Sequence, residues 1–185
     1  MSRTDFITKW DDVKSTSEGA YITWQHALQI VAGGELKSLT ESIRGQSETK
    51  MRDLKKMLPI VCFAGTFAKR QKKELKDLSG FVALDFDHME NPEEAKEWLK
   101  EDPYVWFAFT SPSGHGLKVG VRCDGIEQNT TKEYEEKVFW TAVNRFKDTE
   151  LYPYLDMKAK DVTRAAFLAH DPNCIINENA EMLPL

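Results

Sequence analysis

Two aspartates one residue apart, Asp85 and Asp87, carry the most pointed chemistry in the chain. They close the run Gly80-Phe81-Val82-Ala83-Leu84, whose apolar character predicts a buried strand over residues 80–86. Residues two apart on a strand share a face, so the two carboxylates project together while Leu84 and Phe86 face the opposite side. Like charges held this close repel, and burying them is costly. A hard divalent cation such as Mg²⁺ removes that cost, and it accepts carboxylates together with substrate phosphates as ligands. The plainer reading of a bare Asp-x-Asp is an acidic strand end entering a polar loop. The apolar strand before it favours the metal, because ligands of α/β sheets collect at the carboxyl ends of strands.

A second constellation is Ser111-Pro112-Ser113-Gly114-His115-Gly116-Leu117-Lys118. Two glycines flank His115, and such a turn leaves backbone N–H groups open to an anion. The strand that follows alternates, with Leu117, Val119 and Val121 on one face and Lys118, Gly120 and Arg122 on the other. Lys118 and Arg122 then form a cationic strip beside the turn, suited to a triphosphate. A hairpin loop with solvated charges is the alternative. A third block runs from Tyr154 to Asn177. In it Asp156 follows a hydrophobic pair and can bring a third carboxylate to the metal. Asp161 suits a cap or turn before Val162. Arg164 lies in an otherwise apolar stretch, where it needs a phosphate or a carboxylate such as Asp161 as partner.

These side chains must be held by a recognisable set of elements. Residues 1–20 read as an irregular arm. Tyr21–Ala32 reads as a helix, with Trp24, Ala27, Leu28 and Val31 at helical spacing. Residues 38–44, with Ser38, Glu41 and Ser42 as caps, and 47–57 read as two more helices, the latter stopped by Pro59. Residues 60–64 form a short β-rich run, and residues 69–78 are helical or looped. Asn91-Pro92 opens a helix through Lys100, with Glu93 and Glu94 in its first turn. Tyr104–Thr110 and Leu117–Arg122 make a hairpin around the Ser-Pro-Ser-Gly turn. Thr130–Phe146 is a long helix with Tyr134, Val138, Phe139, Ala142 and Phe146 on its apolar side. Residues 161–169 form one further apolar element.

The chain has 185 residues, 41% of them hydrophobic, enough for a sizeable core. No apolar run approaches bilayer length, so no membrane is expected. Residues 1–10 lack the apolar stretch of a secretory signal. Cys62, Cys123 and Cys174 lie far apart and read as reduced thiols of a cytoplasmic protein. His26, His88 and His170 have no metal-ligand spacing, and no Walker loop or dinucleotide fingerprint occurs. The net charge of −5 hides a split. Residues 50–76 hold nine Lys or Arg against Asp53 and Glu74, whereas residues 77–102 hold nine acids against Lys96 and Lys100. That division suits a site handling both a polyanion and a metal, although two solvated faces of opposite sign explain it as simply.

Taken in order, Leu-Pro-Ile-Val-Cys-Phe-Ala-Gly-Thr-Phe (58–67), Leu-Ser-Gly-Phe-Val-Ala-Leu-Asp-Phe-Asp (78–87), Phe-Thr-Ser-Pro-Ser-Gly-His-Gly-Leu-Lys-Val (109–119) and Asp-Val-Thr-Arg-Ala-Ala-Phe-Leu-Ala-His-Asp-Pro-Asn (161–173) resemble the archaeo-eukaryotic primase-polymerase superfamily. More narrowly, they resemble the VirE N-terminal or BT4734-like primase domain of Bacteroidetes mobile elements. The resemblance spans about residues 58–177. It implies an α/β (α+β) fold with an RRM-like central sheet and flanking helices. It implies a catalytic unit over residues 51–185, preceded by a helical arm over residues 1–50. Asp85, Asp87 and Asp156 match the catalytic, metal-binding acidic positions for Mg²⁺ or Mn²⁺. Ser113, Gly114 and Gly116 match a phosphate-contacting turn, and Arg164 matches an arginine near the nucleotide. Many members carry a histidine on the strand after the turn; strand register puts Lys118 there, while His115 imitates the Ser-x-His spacing from within the turn.

The activity this implies is template-directed nucleotidyl transfer by a primase or polymerase during replication of a mobile element or phage-like replicon. Its partners would be a single-stranded DNA template, nucleoside triphosphates and a helicase or ATPase module in cis or in trans. A binding module for nucleotides or single-stranded DNA is the alternative. Lys69, Arg70, Lys72 and Lys73, just before the acidic strand, are the expected contacts to template phosphates, with Arg122 and Lys158 next in line.

Overall fold

The computed structural model describes residues 4–15 and 17–185. Its first strand, β1 (Phe6–Trp10), pairs antiparallel with β2 (Ala20–Thr23). Thr23 ends that strand and caps the next helix, its Oγ1 accepting from the His26 N–H at 3.2 Å. The helix is α1 (Trp24–Ala32), and it buries Trp24, Ala27, Leu28 and Val31 on one face. Two short helices follow, α2 (Lys37–Ile43) and α3 (Glu48–Lys55). Strand β3 (Ile60–Cys62) returns to pair with β1. A small separate hairpin, β4 (Gly65–Phe67) with β5 (Leu75–Leu78), leads into the central sheet.

That sheet is built from β6 (Phe81–Phe86), β7 (Val105–Thr110) and β8 (Leu117–Asp124), with α4 (Pro92–Leu99) connecting the first two. Strand β8 lies between the others and runs antiparallel to both, with Asp85 opposite Lys118 and Phe109 opposite the same lysine. The next helical run starts as α5 (Thr131–Glu133), widens to π-helical bonding over Tyr134–Val138 and continues as α6 (Phe139–Phe146). After it the chain returns to the free side of β6, where Leu155 forms an antiparallel bridge with Phe86. The spatial order is therefore Leu155 segment, β6, β8, β7. Strand, helix, strand, strand, helix and strand in that order give the split-βαβ arrangement expected of an RRM-like sheet. Three short strands complete the fold. β9 (Ala166–Phe167) joins β3, β10 (Ile175–Ile176) joins β7, and β11 (Leu183–Pro184) runs parallel to the end of β8.

Alternation along β6 and β8 divides the interior into two cores. Val82, Leu84 and Phe86, with Leu117, Val119 and Val121, pack on Leu99 of α4 and on Phe139, Ala142 and Phe146 of the last helix. On the other face Phe81, Phe107 and Phe109 pack on Trp24 and Leu28 of α1 and on Phe63 and Val61. Each such side chain contributes roughly 1.5–3 kcal/mol on burial, so both faces of the sheet hold it rigid. The second face is covered only part-way along. At the Asp85 end of β6 a cleft opens between the central sheet and the β3–β9 layer, lined by Asp85, Lys118, Ile60 and Phe167.

Several local expectations change. The N-terminal arm contains β1, whose Ile7 and Trp10 are buried. Its short sequence has no clear period, and β3, far away in the chain, supplies its register. Met1–Arg3 and Thr16 of that arm lie outside the described residues. Tyr21 and Ile22, read as helical, pair with Thr8 and Ile7. Residues 69–78 hold only a 3₁₀ turn, Lys72–Glu74, and then β5. The caps expected at Ser38, Glu41 and Ser42 are not used, since α2 starts at Leu36 without a side-chain cap. Residues 161–169 contribute just two residues of strand, β9; a turn at 162–163 and irregular backbone make up the rest. Among the described residues no helix is long and apolar enough to cross a membrane.

Candidate functional site

The acidic pair stands where β6 ends. Asp85 is 5% exposed, and Asp87, just past the strand, is partly buried. The segment after α6 reaches this point because the 3₁₀ turn Tyr152–Tyr154 and the buried Leu155 lay it along β6. Two backbone hydrogen bonds flank the Phe86–Leu155 bridge. Asp156 N–H donates to the Asp85 carbonyl at 2.8 Å, and Asp87 N–H donates to the Tyr154 carbonyl at 2.8 Å. This short ladder carries Asp156 to the pair, and one carboxylate oxygen from each of Asp85, Asp87 and Asp156 lies within 4.8 Å of the others. The predicted third carboxylate is thus in place.

Two cations balance the cluster. Lys118, cross-strand from Asp85, forms an ion pair with it. Arg164 lies 3.1 Å from Asp156 Oδ2 and 3.5 Å from Asp85 Oδ2. Its expected partner Asp161 instead accepts from the Thr163 N–H at 2.8 Å and the Thr163 hydroxyl at 2.7 Å, closing a turn. Burial raises the Asp87 carboxyl above the ordinary aspartate range, and the neighbouring Asp85 and Asp156 charges add to the effect against the pull of Lys118. Three carboxylates this close could hold a hard divalent cation.

The Ser-Pro-Ser-Gly turn lies against the same strand end. Ser111 N–H donates to the Gly116 carbonyl at 2.8 Å, and the Ser111 and Ser113 hydroxyls are 3.0 Å apart. Gly116 is required by proximity: a Cβ there would collide with the Phe86 carbonyl oxygen and lie 3.3 Å from Asp87 Oδ1. Gly114 adopts φ +81°, a left-handed conformation that favours glycine. The open anion nest is narrower than expected. Gly114 N–H is spent on the Ser111 carbonyl at 2.9 Å, and His115 is exposed, with its carbonyl accepting from Met89. Ser111, Pro112 and Ser113 face the cleft, and Gly114, His115 and Gly116 shape the turn behind them.

The cleft has a volume of about 670 Å³ and brings together Asp85, Asp87, Ser113, Lys118, Arg164 and Arg70. Of the four basic residues expected at the template, Arg70 alone lines it, with Nη2 donating to the Val13 carbonyl at 3.0 Å. Lys72 is engaged by Glu135 at 2.5 Å and Asp161 at 3.5 Å, and Lys69 and Lys73 are exposed outside the cleft. The cationic strip does not form. Arg122 is buried beyond Gly120, paired with Asp5 at 2.8 Å and set over the Phe81 and Trp106 rings, so it is removed as a template candidate. Lys158 is exposed, its N–H capped by Asp156.

Sequence reading passed over three features. Lys55, at the end of α3, lines the cleft. Val13, in the β1–β2 loop, forms part of its wall. Beneath the turn, Lys96 is 1% exposed and pairs with Asp171 at 2.7 Å, and Asp171 also accepts from the Thr110 N–H at 2.7 Å. The apolar neighbours of Lys96 at helical spacing, Pro92 and Leu99, were the available signal for its burial.

A split-βαβ sheet with three carboxylates at one strand end, a glycine-bearing turn beside them and a basic-walled cleft defines the class of this α+β domain. Residues 53–175 match the family described as BT4734-like, N-terminal domain, and the chain belongs to that family. No curated protein and no solved structure matches it.

Proposed function

We propose that this domain carries out metal-dependent, template-directed nucleotidyl transfer, as a DNA primase or polymerase of the primase-polymerase type. The observation that carries this reading is the convergence of Asp85, Asp87 and Asp156, one oxygen from each within 4.8 Å, where Asp85 and Asp87 line the cleft. These three would hold Mg²⁺ or Mn²⁺. When bound, such ions lower the pKa of an attacking 3′-hydroxyl and neutralise the pyrophosphate leaving group. Ser113 and the turn behind it border the space where a triphosphate would sit. Lys118 and Arg164 have two roles: they neutralise the carboxylates in the metal-free protein and offer charge-assisted hydrogen bonds to phosphates in the loaded one. Replication of a mobile element in the cytoplasm, beside a helicase or ATPase in cis or in trans, is the setting this activity would serve.

The test is primer synthesis and extension on single-stranded DNA with purified protein and Mn²⁺. Products are expected from the parent and not from Asp85→Ala or Asp87→Ala. Equal activity in those variants would sink the assignment. A second reading, a non-catalytic nucleotide or single-stranded DNA binding module, draws on one observation: Lys118 and Arg164 already balance most of the cluster's charge without a metal. Nucleotide binding that persists in EDTA, with no synthesis under any metal, would favour it.

A further inference from the structure

We propose that Lys55, inside the cleft, and Arg44, exposed beside the Gly114 turn, both carried by the α2–α3 pair, form a polyphosphate-binding path from the turn to the acidic triad; that the phosphates belong to a nucleoside triphosphate rests on the nucleotidyl-transfer reading. Helix α3 buries none of its own residues, yet Lys55 at its end is half-buried and lines the cleft with Asp85, Asp87, Ser111 and Ser113. Arg44 ends α2 and lies over the turn: a methyl group added at Gly114 would be 3.5 Å from Arg44 Nε. Ile43 and Leu58, with Leu39, Met51 and Leu54, pack on Ala169 of the C-terminal block, so the two helices are held in place by a small core of their own.

The cations around the cleft are already mostly paired. Lys118 and Arg164 pair with the triad, and Lys72 pairs with Glu135 and Asp161. Arg70 is tied to the Val13 carbonyl. Among the described residues neither Arg44 nor Lys55 closes an ion pair to the triad, whose paired cations are Lys118 and Arg164, although Asp87 and Asp85 lie near enough to act on Lys55. Burial opposes the charge of the Lys55 ammonium more than the nearby Asp87 and Asp85 carboxylates support it, and a polyphosphate entering the cleft supplies a closer anion. Arg44 beside Ser113-Gly114 and Lys55 beside Asp87 bracket the stretch between turn and triad. A polyphosphate chain laid from the turn to the carboxylates would meet both cations. A nucleic acid backbone would instead need cations strung along the exit of the cleft.

The probe is inorganic tripolyphosphate, titrated by calorimetry in EDTA so that no metal takes part, with a single-stranded oligonucleotide as the second arm. The parent should bind tripolyphosphate. Arg44→Ala and Lys55→Ala should each weaken it about tenfold, the double variant more, while Lys55→Arg keeps it and oligonucleotide binding stays unchanged. Arg44 is exposed and Lys55 half-buried, and thermal melting checks that the variants remain folded. The proposal is overturned if the parent does not bind tripolyphosphate, if the double variant binds it as the parent does, or if the loss falls on the oligonucleotide alone. Mn²⁺ binding and primer extension are measured separately. Their failure would remove the nucleotidyl-transfer reading and leave the phosphate result standing.

Discussion

Asp156 is bound to Asp85 through the backbone, its N–H donating to the Asp85 carbonyl at 2.8 Å, so the third carboxylate is positioned by a strand ladder rather than by its own side chain. Substitutions of the Asp156 side chain should therefore change the metal site without moving the chain. Asp156→Asn keeps an acceptor for the Lys158 N–H and removes one anionic ligand. It should weaken Mn²⁺ binding by roughly tenfold or more, with little change in melting temperature. Electron paramagnetic resonance of free Mn²⁺ reads the affinity; parental affinity would take Asp156 out of the metal set.

Asp87 makes the opposite trade. Burial, with Asp85 and Asp156 nearby, raises its carboxyl, so the folded state holds that proton more tightly than the unfolded chain does. The associated stability is fully present below the unfolded pKa and is lost as pH rises through the higher folded pKa. At neutral pH without metal, Asp87→Asn should then stabilise the fold, by up to about 1 kcal/mol once solvent screening of this partly exposed group is allowed for. The same change should abolish Mn²⁺-dependent activity. Urea melts at pH 7 and below pH 4 measure the difference, and the gain should vanish at the acid end.

Lys96 and Asp171 form a buried pair beneath the turn, 2.7 Å apart. Removing one partner strands the other charge, so Lys96→Met should cost about 3–5 kcal/mol in urea unfolding. The double variant Lys96→Met/Asp171→Asn should recover part of that loss. Burial opposes ionisation of Asp171, but hydrogen bonds from Lys96 and Thr110 outweigh it and hold the carboxyl below the ordinary aspartate range. Its contribution is present above the unfolded pKa and is lost as pH falls through the lower folded one. Asp171→Asn should flatten that acid limb of the stability profile.

On the proposed function, the basic segment should contribute unequally to DNA binding. Arg70 lines the cleft, whereas Lys72 is held by Glu135 and Asp161. Arg70→Ala should reduce the salt slope of single-stranded DNA binding by about 0.7, the value for one lost phosphate contact. Lys72→Ala should leave the slope nearly unchanged. Equal effects from both would place the strand across the outer face of residues 69–73 instead.

Much of this was legible in the sequence. The apolar run into Asp85-Phe86-Asp87 marks a buried strand with paired carboxylates, and Pro92, the Ser-Pro-Ser-Gly turn and the stripe from Tyr134 to Phe146 mark the helix, hairpin and helix around it. Those features are local: a period of two or 3.6 and a turn residue can be read within one window. The tertiary structure alone decided the rest. It paired Lys118 with Asp85, and it carried Arg122 away from the cleft to a contact with Asp5. It laid Asp156 beside β6, brought β1 into a sheet and turned Arg44 and Lys55 toward the turn and the triad. Each of these depends on which distant segments close a loop on one another and in what register. That choice is made by the summed burial of both cores, which no single stretch of residues contains.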